Sequence, residues 1–490
     1  MRTREIVRDY PITLSVSVNG LLANFAVAFT QPTFAVFALL FTGAVLVRGR
    51  HTVTRMILAA GVRVRHHARF HRFFSRSRWK MDDLWKGMAR LVAAAFLSKD
   101  RPVLLGGDDT AQKKTGAKIY GAGMVHDNRP AARKGWDLCW GLTWVVVTVL
   151  VRAPFWPGRV FPIPVGVRLY RKKKFCSKGS PSRAVREPHG PELSRRASGS
   201  NDGHAFKTKP QLLLEMVRQL IEWLPDYTFM LHVDGGYASG ELMQSLPKNV
   251  QVVGRLRFDA RLYDRPPKAV RTAHLSQRRR RGRARERGKR LASPKLHVAH
   301  RPGAWTTVTL ASGKRYETQS WVGLWWTVFR ERPVLAVASR RAPRRKGDHP
   351  TEVQFFYTTD VTMTSQQVLE AYADRWAIEC LFHEVKERMG FEEPQCRTEK
   401  AVERTAPFLL WTAGVVQYWF LVQKDRDVLV GWRPRWRIKR KAPTPAPSFS
   451  DMLSALRRDV LHGAFGCRSA SEDQMHQNLR TLIESAAIAA

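Results

Sequence analysis

The chain has 490 residues, 44% of them hydrophobic, and a formal net charge of +42. That length supports two to four domains with sizeable cores. A compact protein with this excess of positive charge repels itself, so a polyanion is the natural partner: nucleic acid leads, and an anionic membrane surface competes. The five cysteines, Cys139, Cys176, Cys380, Cys396 and Cys467, form no CxxC pair, which argues against a zinc site or a disulfide framework and fits a reducing cytoplasm.

Taken in chain order, the basic opening MRTREIVRDY is followed by no signal-peptide cleavage pattern. Leu21 to Val47 is apolar but broken by Gln31-Pro32-Thr33 into pieces shorter than a membrane span of about 20 residues. Residues 1–95 read as a helical, DNA-binding domain that includes an apolar helix from Phe34 to Val47. In "RVRHHARFHRFFSRSRWKMDDLWKGMARLV" basic and aromatic side chains alternate, which suits phosphate contacts with aromatic packing behind them. His66, His67 and His71 have no Cys or acidic ligand nearby, so they join that basic surface rather than a metal site. A solvated amphipathic helix is the plainer alternative.

Residues 96–257 read as α/β. "RPVLLGGDDT", "LCWGLTWVVVTVLV" and "RVFPIPVGVRLY" are strands, and the second is too short and too rich in Val and Thr for a membrane span. A Gly/Pro/Ser-rich loop follows, then helix, strand ("YTFMLHVDGGYAS"), short helix and strand, the pattern of a mixed sheet. Residues 258–364 read as a β-rich insertion that carries the run Arg278, Arg279, Arg280 and Arg281, either a solvated loop or a nucleic-acid contact. Residues 365–425 return to helix, with Ser365 as N-cap of a helix reaching about Met389. A basic, Pro-rich linker and a helical tail make up 426–490.

Two acidic sites share one context. Asp108 and Asp109 follow the apolar "VLLGG", and Asp234 follows "FMLHV". Strand ends line the functional crevice of open α/β sheets, although a lone Asp after a strand is more often a turn residue. A third acid comes from "AYADRWAIECLFHEVK". On a straight helix Tyr372, Arg375, Glu379 and Lys386 fall in one stripe about 60° wide. Ile378, Phe382, Val385 and Met389 form a separate apolar stripe, and Glu384 points elsewhere. A Glu between Arg and Lys is usually an ion-paired surface residue. A carboxylate beside a phenol and two cations also suits phosphodiester chemistry.

The spacing Y-x2-R-x3-E-x6-K resembles the YREK signature of bacterial insertion-sequence transposases of the DDE type. "GGDDT" resembles their first-acid motif, in which the Asp before Thr is the ligand. That selects Asp109, although which of Asp108 and Asp109 faces Glu379 stays open. "VDGGYA" resembles the second-acid motif and gives Asp234. The resemblance runs from about Arg101 to Gln417 and implies an RNase H-like core in which Asp109, Asp234 and Glu379 are catalytic and hold two Mg2+ or Mn2+ ions. It implies cutting at the ends of an insertion sequence and joining of the freed 3′-hydroxyls to target DNA, by cut-and-paste with a hairpin intermediate. Arg375 and Lys386 would hold phosphates and Tyr372 would position the strand. Trp321, Trp325 or Trp326 would stack a flipped base, with strand alternation placing Trp326 opposite the other two; core packing is the alternative for all three. The implied partners are double-stranded DNA (terminal inverted repeats and target) and a second copy of the chain, with no membrane, in a bacterial cytoplasm at the nucleoid. The competing expectations are an RNase H-like nuclease or resolvase without strand transfer and a decayed, DNA-binding copy.

Overall fold

The computed structural model describes residues 15–61, 66–126, 138–156, 158–173, 205–266, 286–343, 352–424 and 447–465. Arg278 to Arg281, expected at DNA, lie outside the described residues, as do residues 425–446 of the basic linker.

Five helices come first: α1 (Val16–Ala23), α2 (Gln31–Leu46), α3 (Val53–Ala59), α4 (Ala68–Ser75) and α5 (Met81–Phe96). Pro32 starts α2 rather than separating two apolar pieces, because a proline in the first helical turn loses no needed N–H bond. On α4, Phe70, Phe73 and Phe74 are buried while His71 and Arg72 face out, a single apolar stripe at helical spacing.

The chain then builds a ten-stranded sheet from β1 (Val103–Lys113), β2 (Gly123–His126), β3 (Leu138–Arg152), β4 (Val160–Tyr170), β5 (Phe229–Val233), β6 (Val250–Arg255), β7 (Thr306–Thr309), β8 (Arg315–Leu324), β9 (Pro333–Arg341) and β10 (Gln354–Thr358). Across the sheet the order is β4-β3-β1-β5-β6-β10-β9-β8-β7, with β2 beside the start of β3. β1, β5 and β6 are parallel and the other pairs antiparallel. Helices α6 (Lys209–Trp223), α7 (Gly240–Met243), α8 (Pro294–Ala299), α9 (Trp326–Phe329), α10 (Ser365–Asp374), α11 (Trp376–Arg388), α12 (Glu399–Val422) and α13 (Phe449–Phe465) complete the described residues. This mixed sheet flanked by helices is consistent with the RNase H-like α/β core.

Three local expectations change. The strands between residues 258 and 364 extend the core sheet past β6, because β10 pairs with β6 through Phe356 to Arg255 and Thr358 to Val253. β8 ends at Leu324 and Trp326 opens α9, so strand alternation does not orient Trp326. The helix expected from Ser365 to Met389 is two helices. Thr364, not Ser365, caps the first, in a reciprocal box with Gln367. The two join at Arg375, whose N–H bonds the carbonyl three residues back, at Tyr372 (3.2 Å), tightening one turn and shifting the phase of the stripe.

The core is continuous from α1 to α13. At its centre α12 is almost wholly buried, and Phe25 and Phe37 pack on Trp411 with ring centroids 4.8 and 5.3 Å apart. Among the described residues α12 is the one helix long and apolar enough to cross a membrane, and its apolar surface is spent on this packing. Arg404 on α12 donates to the backbone carbonyls of Phe74, Ser77 and Trp79, which fixes the turn after α4.

Candidate active site

The parallel register of β1 and β5 pairs Gly106 with His232 and Gly107 with Val233. β5 then stops, and Asp234 follows with its backbone still extended, beside Asp108. β1 does not end at its acids, as its sequence suggested. It runs on to Lys113 because β3 pairs it on the other side, with Asp108 opposite Val146 and Asp109 opposite Val145. The acids therefore stand at an opening on one flank only, where β5 has ended.

Two glycines bring helices onto β1. A Cβ on Gly106 would stand 2.3 Å from Ile378 of α11, and one on Gly107 would stand 2.8 Å from Leu213 of α6. Since side chains alternate along a strand, Asp108 lies on the α11 face and Asp109 on the α6 face.

On the α11 face, Arg375 Nη1 donates to Asp108 Oδ2 (2.6 Å) and Arg375 Nη2 to Glu379 Oε1 (2.8 Å). The guanidinium is nearly buried, its Nε has no hydrogen-bond partner among the described residues, and it lies 5.4 Å from the Tyr372 ring centre. Its own burial opposes the charge, and Asp108, Tyr372, Asp234 and Glu379 more than restore it, so its pKa is raised. Burial pushes the Asp108 carboxyl up to about 6 against the attraction of Arg375, and the charges of Asp109 and Asp234 push the same way. Tyr372 reaches Asp234 Oδ1 with its hydroxyl at 3.4 Å, and burial raises the pKa of this phenol. Asp374 pairs with Arg152 beside the cluster. Lys386 lies two turns past Glu379 on α11 and is partly buried. Below the acids, His232 is fully buried with neither ring nitrogen bonded among the described residues, and burial together with the charge of Arg152 lowers its pKa to about 3.

On the α6 face, Asp109 accepts from Lys209 Nζ (2.7 Å) and from the Tyr237 hydroxyl (3.0 Å). Of the two acids left open by the sequence, Asp108 is the one linked to Glu379, through Arg375, and Asp109 bonds Lys209 and Tyr237 on the other face. Among the described residues no three acidic, His or Cys side chains meet closely enough to hold a metal ion. Between Asp108 and Glu379 stands the Arg375 guanidinium.

The three tryptophans are buried, at 9, 5 and 7% exposure for Trp321, Trp325 and Trp326. Trp321 stacks on His297 (centroids 4.0 Å apart), Trp325 packs edge-on against Tyr357, and Trp326 has the guanidiniums of Arg287 and Arg330 at 5.9 and 5.7 Å from its ring centre. Sequence reasoning passed over Lys209, Tyr237, Arg152 and His232. Tyr237 stands inside the quoted "VDGGYA", but nothing in the spacing tells which side of β1 its hydroxyl reaches. Lys209 carries no motif at all.

A comparison with curated proteins found no match. A family model described as DDE superfamily endonuclease matches residues 24–324, which takes in α2 to α5, both aspartate sites and the strands through β8, and ends before α9, α10 and α11. That match covers more than half of the chain, which therefore belongs to the DDE superfamily endonucleases.

Proposed function

We propose that the protein is a transposase that cuts DNA at the ends of an insertion sequence and joins the freed 3′-hydroxyls to target DNA, with Asp108, Asp234 and Glu379 as its acids. The observation that carries this reading is the chain of bonds from Asp108 through Arg375 to Glu379, laid beside Asp234 at the open flank of β1. The donor chemistry suits a divalent cation such as Mg2+ or Mn2+, carboxylates with no thiolate, and the Arg375 guanidinium holds the place between Asp108 and Glu379 that such an ion would take. Asp108 is a buried carboxylate near Asp234, and its present counter-charge is the Arg375 guanidinium. Bound there by Asp108, Asp234 and Glu379, such ions would activate a water or a 3′-hydroxyl and stabilise the leaving oxygen.

The other residues have roles of their own. Arg375 exchanges its carboxylate partners for a DNA phosphate, a ligand its planar fork suits. Lys386 takes a neighbouring phosphate. Tyr372 holds Asp234 and borders the path of the strand. The net charge of +42 supplies a salt-steep affinity for DNA, at the nucleoid of a bacterial cell, and paired ends call for a dimer.

Glu379→Gln tests the reading. It should lower Mg2+-dependent cleavage of element-end DNA by more than about 10³-fold while end binding stays within about 3-fold. Normal cleavage by this variant would remove the assignment. Pre-cut ends supplied with a plasmid should give joined products, and robust cutting with no joining would identify a nuclease instead.

A further inference from the structure

The acid that the motif favoured has a different set of partners from the one that faces Glu379. Asp108 accepts from the Asp109 N–H at 2.8 Å and from Arg375 at 2.6 Å, whereas Asp109 Oδ1 accepts from the Tyr237 hydroxyl at 3.0 Å and Oδ2 from Lys209 Nζ at 2.7 Å. Tyr237 is the last residue of the 3₁₀ turn Gly235–Tyr237 that begins directly after Asp234, and its N–H bonds the Asp234 carbonyl at 3.0 Å. Its ring is 4% exposed. A carboxylate that grips the Tyr237 hydroxyl therefore grips a turn whose first peptide belongs to Asp234.

The far end of the same loop is held as well. Glu241, in the first turn of α7, accepts from Thr208 Oγ1 at 3.0 Å and from Gln211 Nε2. Thr208 is the N-cap of α6 and Gln211 completes its capping box. Lys209, the first residue of α6, is the residue that reaches Asp109. The stretch from Asp234 to Glu241 is thus tied to the start of α6 at both ends, once through Asp109 and once through Glu241. The Tyr237 phenol is the donor in its bond to Asp109, whose carboxylate can only accept. Lys209 balances a carboxylate whose charge would otherwise add to those of Asp108 and Asp234.

We infer that Asp109, with Lys209 and Tyr237, is a positioning residue: it fixes the turn that aims the Asp234 carboxylate and does not itself bind the cation. The inference rests on the reading of Asp234 as one of the acids. Residues that orient a ligand typically change metal affinity or activity by about 10–100-fold when altered, less than loss of the ligand itself.

The test compares full-length variants by titration with Mn2+, read by electron paramagnetic resonance, and by cleavage of end DNA. Tyr237→Phe deletes one oxygen and keeps the ring in its packing. It should weaken Mn2+ binding and slow cleavage, each about 10-fold, as should Asp109→Ala, and the double variant should be no worse than either single one. Asp109→Asn keeps an oxygen for Tyr237 and should stay within about 3-fold of the wild type in Mn2+ affinity, whereas Asp234→Asn should bind no Mn2+ at this site. Asp109→Asn as devoid of Mn2+ as Asp234→Asn would make Asp109 a ligand and overturn the inference. So would Tyr237→Phe indistinguishable from wild type while Asp234→Asn is inactive, an outcome that leaves the wider reading standing. Full Mn2+ binding and cleavage by Asp234→Asn would overturn both.

Discussion

Asp108 and Asp109 share a peptide bond and meet different halves of the molecule. The first faces α11, where Arg375 ties it to Glu379. The second faces α6, where it holds Lys209 and Tyr237. Composition cannot separate two identical side chains; the two-residue period of the strand does, once a helix has settled on each face. Two adjacent acids therefore do not form a doubled site. Asp108 accepts from the Asp109 N–H and from an arginine that bridges to Glu379, whereas Asp109 accepts from a lysine and a phenol that bridge to α6 and to the turn after Asp234.

The comparison can be broken most sharply by the asparagine pair. Asp108→Asn should lower cleavage of end DNA by more than about 10³-fold, and Asp109→Asn by about 10-fold or less. Equal losses in a quantitative cleavage assay would erase the distinction between the faces. The glycines beneath the two helices sharpen it at the level of packing. Gly106→Ala drives a methyl to 2.3 Å from Ile378, a residue with no exposure on the helix that carries Glu379, and should cost about 2–3 kcal/mol in urea unfolding. Gly107→Ala meets the methyl ends of the equally buried Leu213 less closely, at 2.8 and 3.0 Å, so a smaller cost of about 1 kcal/mol is expected. A larger loss at Gly107 would mean that α6, not α11, is the tighter face.

A further effect is electrostatic. The Asp108 pKa of about 6 in the folded chain stands above the ordinary value of an unfolded Asp, about 3.9, so the folded state binds this proton more tightly. Its contribution to stability is full below about pH 4 and is lost as pH rises through about 6. Against Asp108→Asn, the wild type should lose about 1–2 kcal/mol between pH 4 and 7, measured as the difference in unfolding free energy. A flat difference would show that Arg375 fully offsets the burial.

Much of this was legible in the residues. The β-branched runs marked the strands of the sheet, and apolar strands ending in small residues drew attention to Asp108, Asp109 and Asp234. The stripe through Tyr372, Arg375 and Glu379 placed an arginine beside the third acid, and the structure joins them at 2.8 Å. Other features depended on contacts distant in the chain. Arg375 is a good helix former, so nothing local announced the tightened turn there. The choice between Asp108 and Asp109 needed the seat of Ile378 on Gly106, a contact between residues far apart in the sequence. The strands beyond Phe258 read as an insertion because polar and basic residues separate them from β6, and only the pairing of β10 with β6 joins them to the sheet.

The long-range packing of the N-terminal helices also sets an order of events during synthesis. Ser17 of α1 donates to Asp459 of α13 at 2.8 Å, 442 residues later, and accepts from Trp419 of α12 at 3.2 Å. At about 5–20 residues per second, α1 leaves the ribosome roughly 20–90 s before that partner exists. For most of that interval Phe25 and Phe37 lack the indole of Trp411 that covers them in the finished fold. A nascent chain released before α12 would retain the N-terminal helices and both aspartate sites but not the surface that closes over them. Such a fragment should be cleared faster than the full chain in a pulse-chase comparison. Truncated products would then be removed by proteolysis before they could compete with intact protein for DNA.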